Sequence, residues 1–255
     1  MNNTREILGL ILARGGSKSI PKKSIATCAG YPLMYYTIKA AQGARSITRL
    51  IISTDDDEMA AIAREHGVEV PFMRPKELAE DLTPDLPVFQ HALKWLRDRE
   101  GYVPDAVVHL RPTTPLKSSR DIDRGVEILL GNTEAHSVRS VCLPEQTPFK
   151  MYHLEEGSPF LTPVLRDAFP QIFEKNPEAY NMPRQSLPKI WKHSGHIDVI
   201  RPEIILEQSS MSGTNILPLF FEQWRDMDID EPKDLRYANF FIKELREEGR
   251  VPWEE

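Results

Sequence analysis

A chain of 255 residues, 40% hydrophobic and 27% charged, has the size and balance of one large α/β domain, or of one domain carrying a sizeable insertion. Its formal net charge of −6 argues against non-specific binding to nucleic acid or an anionic membrane, both of which call for basic surface. Two cysteines, Cys28 and Cys142, lack CxxC or zinc spacing, which argues against metal binding through sulfur and fits a reducing compartment.

The first element is the apolar run Ile7–Leu12, which reads as a buried parallel strand. It leads directly into Ala13-Arg14-Gly15-Gly16-Ser17-Lys18-Ser19-Ile20-Pro21-Lys22-Lys23. Two glycines allow a tight turn and bring backbone N–H groups close to a bound anion. Arg14, Lys18, Lys22 and Lys23 add four positive charges within ten positions. A strand that ends in such a turn suits a triphosphate, although the spacing matches neither G-x-x-x-x-G-K-[ST] nor G-x-G-x-x-G. A basic surface loop with a structural Gly-Gly turn is the other reading of these residues alone.

Helical spacing follows from Pro32 to about Gly43, then a strand at Leu50–Ser53 stopped by Thr54-Asp55-Asp56-Asp57. Met59 to His66 reads as a helix closed by Gly67, and Val68 to Phe72 as a third strand. Asp85 to about Arg99 is the next helix, and Ala106–Leu110 a fourth strand broken by Arg111-Pro112-Thr113-Thr114-Pro115. A helix at Ile122–Leu130 and a fifth strand at Ser137–Leu143 complete the alternation, which predicts a doubly wound, mostly parallel sheet. Ligands of such sheets sit beyond the carboxyl ends of the strands, where Arg14, Asp55 and Arg111 fall.

From Pro144 to Pro188 the periodicity breaks into a proline- and aromatic-rich stretch, read as an insertion that packs on a partner subunit. Strands return at Ile197–Ile200 and Ile216–Phe220, and Pro232 to Glu248 reads as a closing helix. Just before it, Asp226-Met227-Asp228-Ile229-Asp230 places acids at alternate positions. On an extended segment Asp228 and Asp230 share a face, which suits a hard cation such as Mg²⁺ held by carboxylates and substrate phosphates. Asp230 is equally well placed to cap the last helix. No apolar stretch reaches the ~18 residues of a membrane helix, and the polar residues before Ile7 lack the apolar core of a signal peptide, so a cytoplasmic protein is expected.

Together these segments resemble the acylneuraminate cytidylyltransferase family, the CMP-sialic acid synthetases, in order along nearly the whole chain. The matching segments are Ala13–Lys18 with Lys23, Ile52–Asp55, Arg74–Asp81, Leu110–Leu116, Pro183–Pro188 and Asp228–Asp230. The resemblance implies one nucleotidyltransferase domain over 1–255, Rossmann-like and of the nucleotide-diphospho-sugar transferase type, with 144–188 used for homodimerisation. It implies transfer of CMP from CTP to the anomeric hydroxyl of a nonulosonic acid, with Mg²⁺ and release of pyrophosphate. Arg14, Lys18, Lys23 and Arg184 would neutralise charge in catalysis. Ala13, Gly15, Gly16, Ser17, Ser24, Ser53, Arg74 and Asp81 would bind nucleotide. Arg111, Thr113, Lys150, Gln185 and His196 would meet the sugar, and Asp228 and Asp230 the metal.

The departures from the family's pattern gather near the sugar and base. Arg111 stands where Gln is usual, Ser24 where Asn is usual, and Lys192-His193-Ser194-Gly195-His196 replaces Arg-x-Asn-Gly-Ala. A pocket Tyr two residues further on is Asp198 here. A guanidinium at 111 could pair bidentately with a carboxylate, and His196 could contact the sugar or shuttle a proton. The departures point to an altered acceptor, such as legionaminic or pseudaminic acid, or to GTP in place of CTP. Rivals are transfer to a sugar 1-phosphate or an eight-carbon sugar acid, a dinucleotide oxidoreductase, and a non-catalytic nucleotide-sugar sensor.

Overall fold

The computed structural model describes residues 5–254. The chain divides into two compact units, one formed by the chain up to Val141 together with the chain from Ser194 onward, the other by Cys142–His193.

The first unit is built on a six-stranded sheet. Its strands are β1 (Ile7–Leu12), β2 (Arg49–Ser53), β3 (Ala106–Leu110), β4 (Ser137–Cys142), β5 (Lys192–Ile200) and β6 (Ile216–Phe220), in the order β6-β4-β5-β3-β1-β2. β1 pairs in parallel with β2 and β3, and β6 in parallel with β4. β5 runs antiparallel to β3, with His109 opposite Asp198. The five helices of this unit that exceed one and a half turns are α1 (Leu33–Gly43), α2 (Asp57–Glu65), α3 (Asp85–Glu100), α4 (Ser119–Leu130) and α5 (Pro232–Glu247).

Alternation along β5 shows how both faces are covered. Ile200 joins Leu8, Leu10, Phe89, Leu93 and Leu96 in a core against α3. Val199 points the other way, to Gly125 of α4, where a Cβ would lie 3.1 Å from its Cγ2. The sheet is therefore doubly wound, with one antiparallel strand. Because β1 lies between β2 and β3, the loops after these strands open at the carboxyl edge beside the place where the winding changes side.

The expected third strand at 68–72 is absent. Glu69 makes an isolated bridge with Ile51, after which Pro71 supplies no N–H to continue a ladder. The last helix also begins differently. Glu231 is its N-cap, in a capping box with Asp234, and Asp234 accepts the Asp230 N–H at 3.1 Å. Asp230 therefore is not the cap, and its carboxylate is left for other contacts.

The second unit has its own small core of Phe149, Phe173, Ala179 and Leu187. It carries an antiparallel hairpin of Tyr152–Leu154 with Leu161–Pro163. Among the described residues no helix is long and apolar enough to cross a membrane.

Candidate active site

A cavity of about 560 Å³ opens at the carboxyl ends of β1 and β3. Arg14, Ser17, Lys18, Lys23, Ser24, Arg74, Asp81, Arg111, Thr113 and Asp230 line it, so ten of the expected site residues meet in one place. Asp85 and His109, which sequence reasoning did not single out, line it as well.

The glycine loop is held by carboxylates from the neighbouring strand. The Gly15 N–H donates to Asp55 Oδ1 at 2.9 Å, and a Cβ on Gly15 would lie 3.0 Å from Asp56 Oδ2, so the close approach demands glycine. Ser17 N–H is taken by the Gly15 carbonyl at 3.1 Å, and Ala13 N–H by the Ser53 carbonyl at 3.1 Å. In this arrangement the loop's backbone braces itself, and its side chains carry most of the positive field. Arg14 Nη1 lies 2.8 Å from Asp81 Oδ1, and Lys18 Nζ 2.5 Å from Asp81 Oδ2, so one carboxylate bridges two cations. Together they hold the Asp81 carboxyl below its usual range. Lys22 turns away to Asp56 and Glu58 at the start of α2.

Arg74 is buried and grips β2, donating from Nε to Ser53 Oγ at 3.0 Å and from Nη2 to the Ser53 carbonyl at 2.5 Å. Burial lowers its pKa to about 10, still high enough for full charge at neutral pH. Ser53 and Arg74 thus form one structural pair, of which Arg74 lines the cavity.

The acidic segment is stitched to the glycine loop. Lys23 Nζ lies 2.9 Å from Asp230 Oδ1 and donates to the Ile229 carbonyl at 2.7 Å. Ser19 Oγ donates to the Asp230 carbonyl at 2.7 Å. From the other side, the Thr113 carbonyl accepts Ile229 N–H at 2.9 Å, and the Thr113 hydroxyl bonds the Asp228 carboxylate. Thr113, expected at the sugar, here positions Asp228. The Asp228 pKa is raised by desolvation and then by the neighbouring Asp230 charge, against the Thr113 bond. A desolvated carboxylate beside a second acid is a suitable seat for a cation. Among the described residues no group of three or more His, Cys, Asp or Glu forms a ready cage, so further donors would have to come from substrate.

Two residues that brace this site gave no signal in the sequence. Lys117 is fully buried, and its Nζ donates to Thr37 Oγ1 (2.9 Å), the Arg111 carbonyl (2.8 Å) and the Thr114 carbonyl (2.5 Å), tying the Arg111–Thr114 loop to α1. Burial pushes its pKa well below the ordinary lysine value, and the Arg111 charge adds to this. Arg225 donates from Nε to the Leu116 carbonyl at 2.9 Å and also pairs with Asp121, fixing the start of the acidic segment.

His196 corrects an expectation. It is fully buried, its ring packs 4.9 Å from Phe221, and its Nδ1 lies 3.2 Å from the Ser194 carbonyl. Desolvation lowers its pKa to about 3. It is a neutral core residue and does not line the cavity. Lys150, Arg184 and Gln185 belong to the second unit, where all three are exposed. Arg184 donates there to the Pro144 and Glu145 carbonyls at 2.6 and 3.1 Å.

Residues 8–188 match the family model described as Cytidylyltransferase. The chain belongs to the cytidylyltransferase family. Within that family's range of sequences it is 29% identical over 241 residues to post-translational flagellin modification protein B of Campylobacter coli, covering 94% of this chain and 96% of that protein. It is 30% identical over 239 residues to CMP-N,N'-diacetyllegionaminic acid synthase of Campylobacter jejuni, covering 93% and 95%. In fold it resembles a solved CMP:2-keto-3-deoxy-manno-octonic acid synthetase complexed with CTP, with a TM-score of 0.65, 13% identity, and coverage of 94% and 99%. Cytidylyltransferase membership disfavours the oxidoreductase reading.

Proposed function

We propose that the chain transfers CMP from CTP to the anomeric hydroxyl of a sialic-acid-like nonulosonic acid, of the legionaminic or pseudaminic kind, and releases pyrophosphate. The observation that carries this reading is the joining of a cation-rich glycine loop to Asp230 on the wall of one cavity, with Asp228 held two residues away by Thr113. The relative that is a CMP-N,N'-diacetyllegionaminic acid synthase supports the choice of acceptor class.

In the step itself the sugar oxygen forms a bond to the α-phosphorus while the bond to the β-phosphate bridging oxygen breaks in line. The hydroxyl proton passes to solvent. Such transfers depend on positioning and charge neutralisation. Arg14 and Lys18 exchange Asp81 for phosphate oxygens, and Lys23 divides its charge between Asp230 and the phosphates. Asp228 and Asp230 would hold Mg²⁺, which when bound would supply charge neutralisation to the phosphates.

The proposal extends to a homodimer formed through the second unit, with Arg184, Lys150 and Gln185 serving the sugar and phosphate side. Leu154, Phe160, Leu161 and Val164 of its hairpin region are exposed apolar residues, as a subunit contact needs. A mass that stays monomeric at every concentration in sedimentation would overturn the dimer.

The test of the reaction is pyrophosphate release with Mg²⁺ across CTP, GTP, UTP and ATP and a panel of nonulosonic acids. Release with CTP and one acid supports the proposal. Preference for GTP overturns the choice of nucleotide, and silence across the panel with nucleotide still bound favours a sensor.

A further inference from the structure

Arg111 stands where the family resemblance anticipates Gln, and Asp198 where it anticipates Tyr. The two are a contact pair. Arg111 Nη1 lies 3.1 Å from Asp198 Oδ2 and donates also to the Gly195 carbonyl at 3.1 Å. Asp198, on β5, is 1% exposed. A carboxylate at that depth is costly to bury without positive partners, and a second one, Arg139 on β4, places Nε 3.7 Å from Asp198 Oδ1. On the cavity side Asp85, at the start of α3, lies 3.6 Å from Arg111 Nη2. The Arg111 backbone is fixed too, since its carbonyl accepts from Thr37 Oγ1 and Lys117 Nζ.

The Arg111 guanidinium is already paired with the buried Asp198 carboxylate, and Asp85 stands 3.6 Å away on its cavity side, with His109 between the two acids at 3.9 and 4.0 Å. The guanidinium that reaches the cavity wall is therefore not a bare cation. It is a rigid planar fork whose remaining donors have a set direction. That alters the expectation that Arg111 pairs with the sugar carboxylate.

We infer that Arg111 and Asp198 act as one specificity-determining unit, in which buried Asp198 positions the Arg111 guanidinium to read an uncharged oxygen acceptor on the sugar, an acyl carbonyl or hydroxyl. This rests on the proposed reaction. Asp198 is a positioning residue, since its carboxylate stays behind the guanidinium it orients.

The test compares Arg111→Gln, Asp198→Asn and the double variant. Each single change is expected to raise the acceptor KM about tenfold while the CTP KM moves less than about twofold, and the double variant is expected to be no worse than the poorer single one. Arg111→Lys should not rescue, because it lacks the fork. The ratio of acceptor KM between Arg111→Gln and the parent should not change with ionic strength, and the loss should be smallest for an acid lacking the N-acyl group or hydroxyl being read. Additive losses, an equal loss in CTP KM, or a variant-to-parent ratio that collapses as salt is raised would overturn the inference. A second measurement needs no turnover: arginine side-chain NMR of the whole protein at low temperature. Restricted rotation of the Arg111 guanidinium, lost in Asp198→Asn, supports the unit, and free rotation in the unaltered protein overturns it. If no acid releases pyrophosphate, the proposed reaction fails while this spectrum still decides the pair.

Discussion

Lys23 and Asp230 are 207 positions apart in the chain, yet Nζ and Oδ1 are 2.9 Å apart at the cavity rim. The lysine thereby connects the strand that begins the sheet with the segment that precedes the last helix. It also pairs directly with Asp230, whereas Asp228 feels Lys23 and Arg111 only at longer range and is raised by desolvation, so the two acids are electrostatically unequal.

Loss of either acid should remove most of the turnover and spare nucleotide capture. Asp228→Ala and Asp230→Ala are each expected to lower kcat by about 100-fold or more, in line with the several kcal/mol a cation contributes to phosphoryl-type transfer. Calorimetric CTP binding without added metal should persist, and should tighten in Asp230→Ala because Lys23 is released. Near-normal turnover of either variant at saturating Mg²⁺ would contradict the assignment.

Asp81 occupies Arg14 and Lys18 at once. A triphosphate must displace it, so Asp81→Asn should lower the nucleotide KM by roughly threefold, a modest change because these groups face solvent and are screened. The difference from the parent protein should shrink as salt is raised. A higher KM in Asp81→Asn would mean that the carboxylate contacts the nucleotide directly.

The buried His196 makes stability depend on pH in a defined direction. Its folded-state pKa is about 3, against an ordinary value of 6.5, so the unfolded chain binds the proton first. The stabilisation from keeping it neutral is complete above pH 6.5 and is lost as pH falls toward 3. The slope contributed by this one group is at most about 1.4 kcal/mol per pH unit. Urea unfolding of His196→Gln between pH 7 and 4 should therefore give a flatter curve than the parent, and parallel curves would rule the contribution out.

Lys117→Met should be strongly destabilising. It leaves the Thr37 hydroxyl and the Arg111 and Thr114 carbonyls without their shared donor, at a cost of about 3 kcal/mol or more. The acceptor KM should rise in the same variant, because the Arg111 backbone loses one of its two anchors. A loss of stability with unchanged acceptor KM would separate the buried lysine from the site.

Local patterns were legible in the chain. The apolar run ending in a cation-rich glycine turn, and the alternating acids at 228 and 230, are contiguous signals, and the glycine turn lies at the carboxyl edge as the alternation of strands and helices predicts. What joins them was not legible, because Ser19 and Lys23 find Ile229 and Asp230 through the fold alone. Polar residues on strands misled in the same way. His196 reads as a site or surface group, but β5 is covered on both faces, so polarity there does not report exposure. Pro71 shows the reverse case, an apolar run that a single missing N–H keeps out of the sheet. Arg111 and Asp198 each looked like an isolated departure until the register of β3 and β5 brought them together.

The carboxylates of Asp81, Asp55 and Asp230 already sit on the loop's strongest donors, and they set a threshold for entry. In the proposed reaction a small anion that displaces one carboxylate forfeits the interaction it breaks, whereas a polyphosphate chain long enough to reach Arg14, Lys18 and Lys23 together would replace Asp81 and Asp230 at once. The resident acids would then favour longer phosphate chains over shorter ones, and each carboxylate would return to its cation as the products leave.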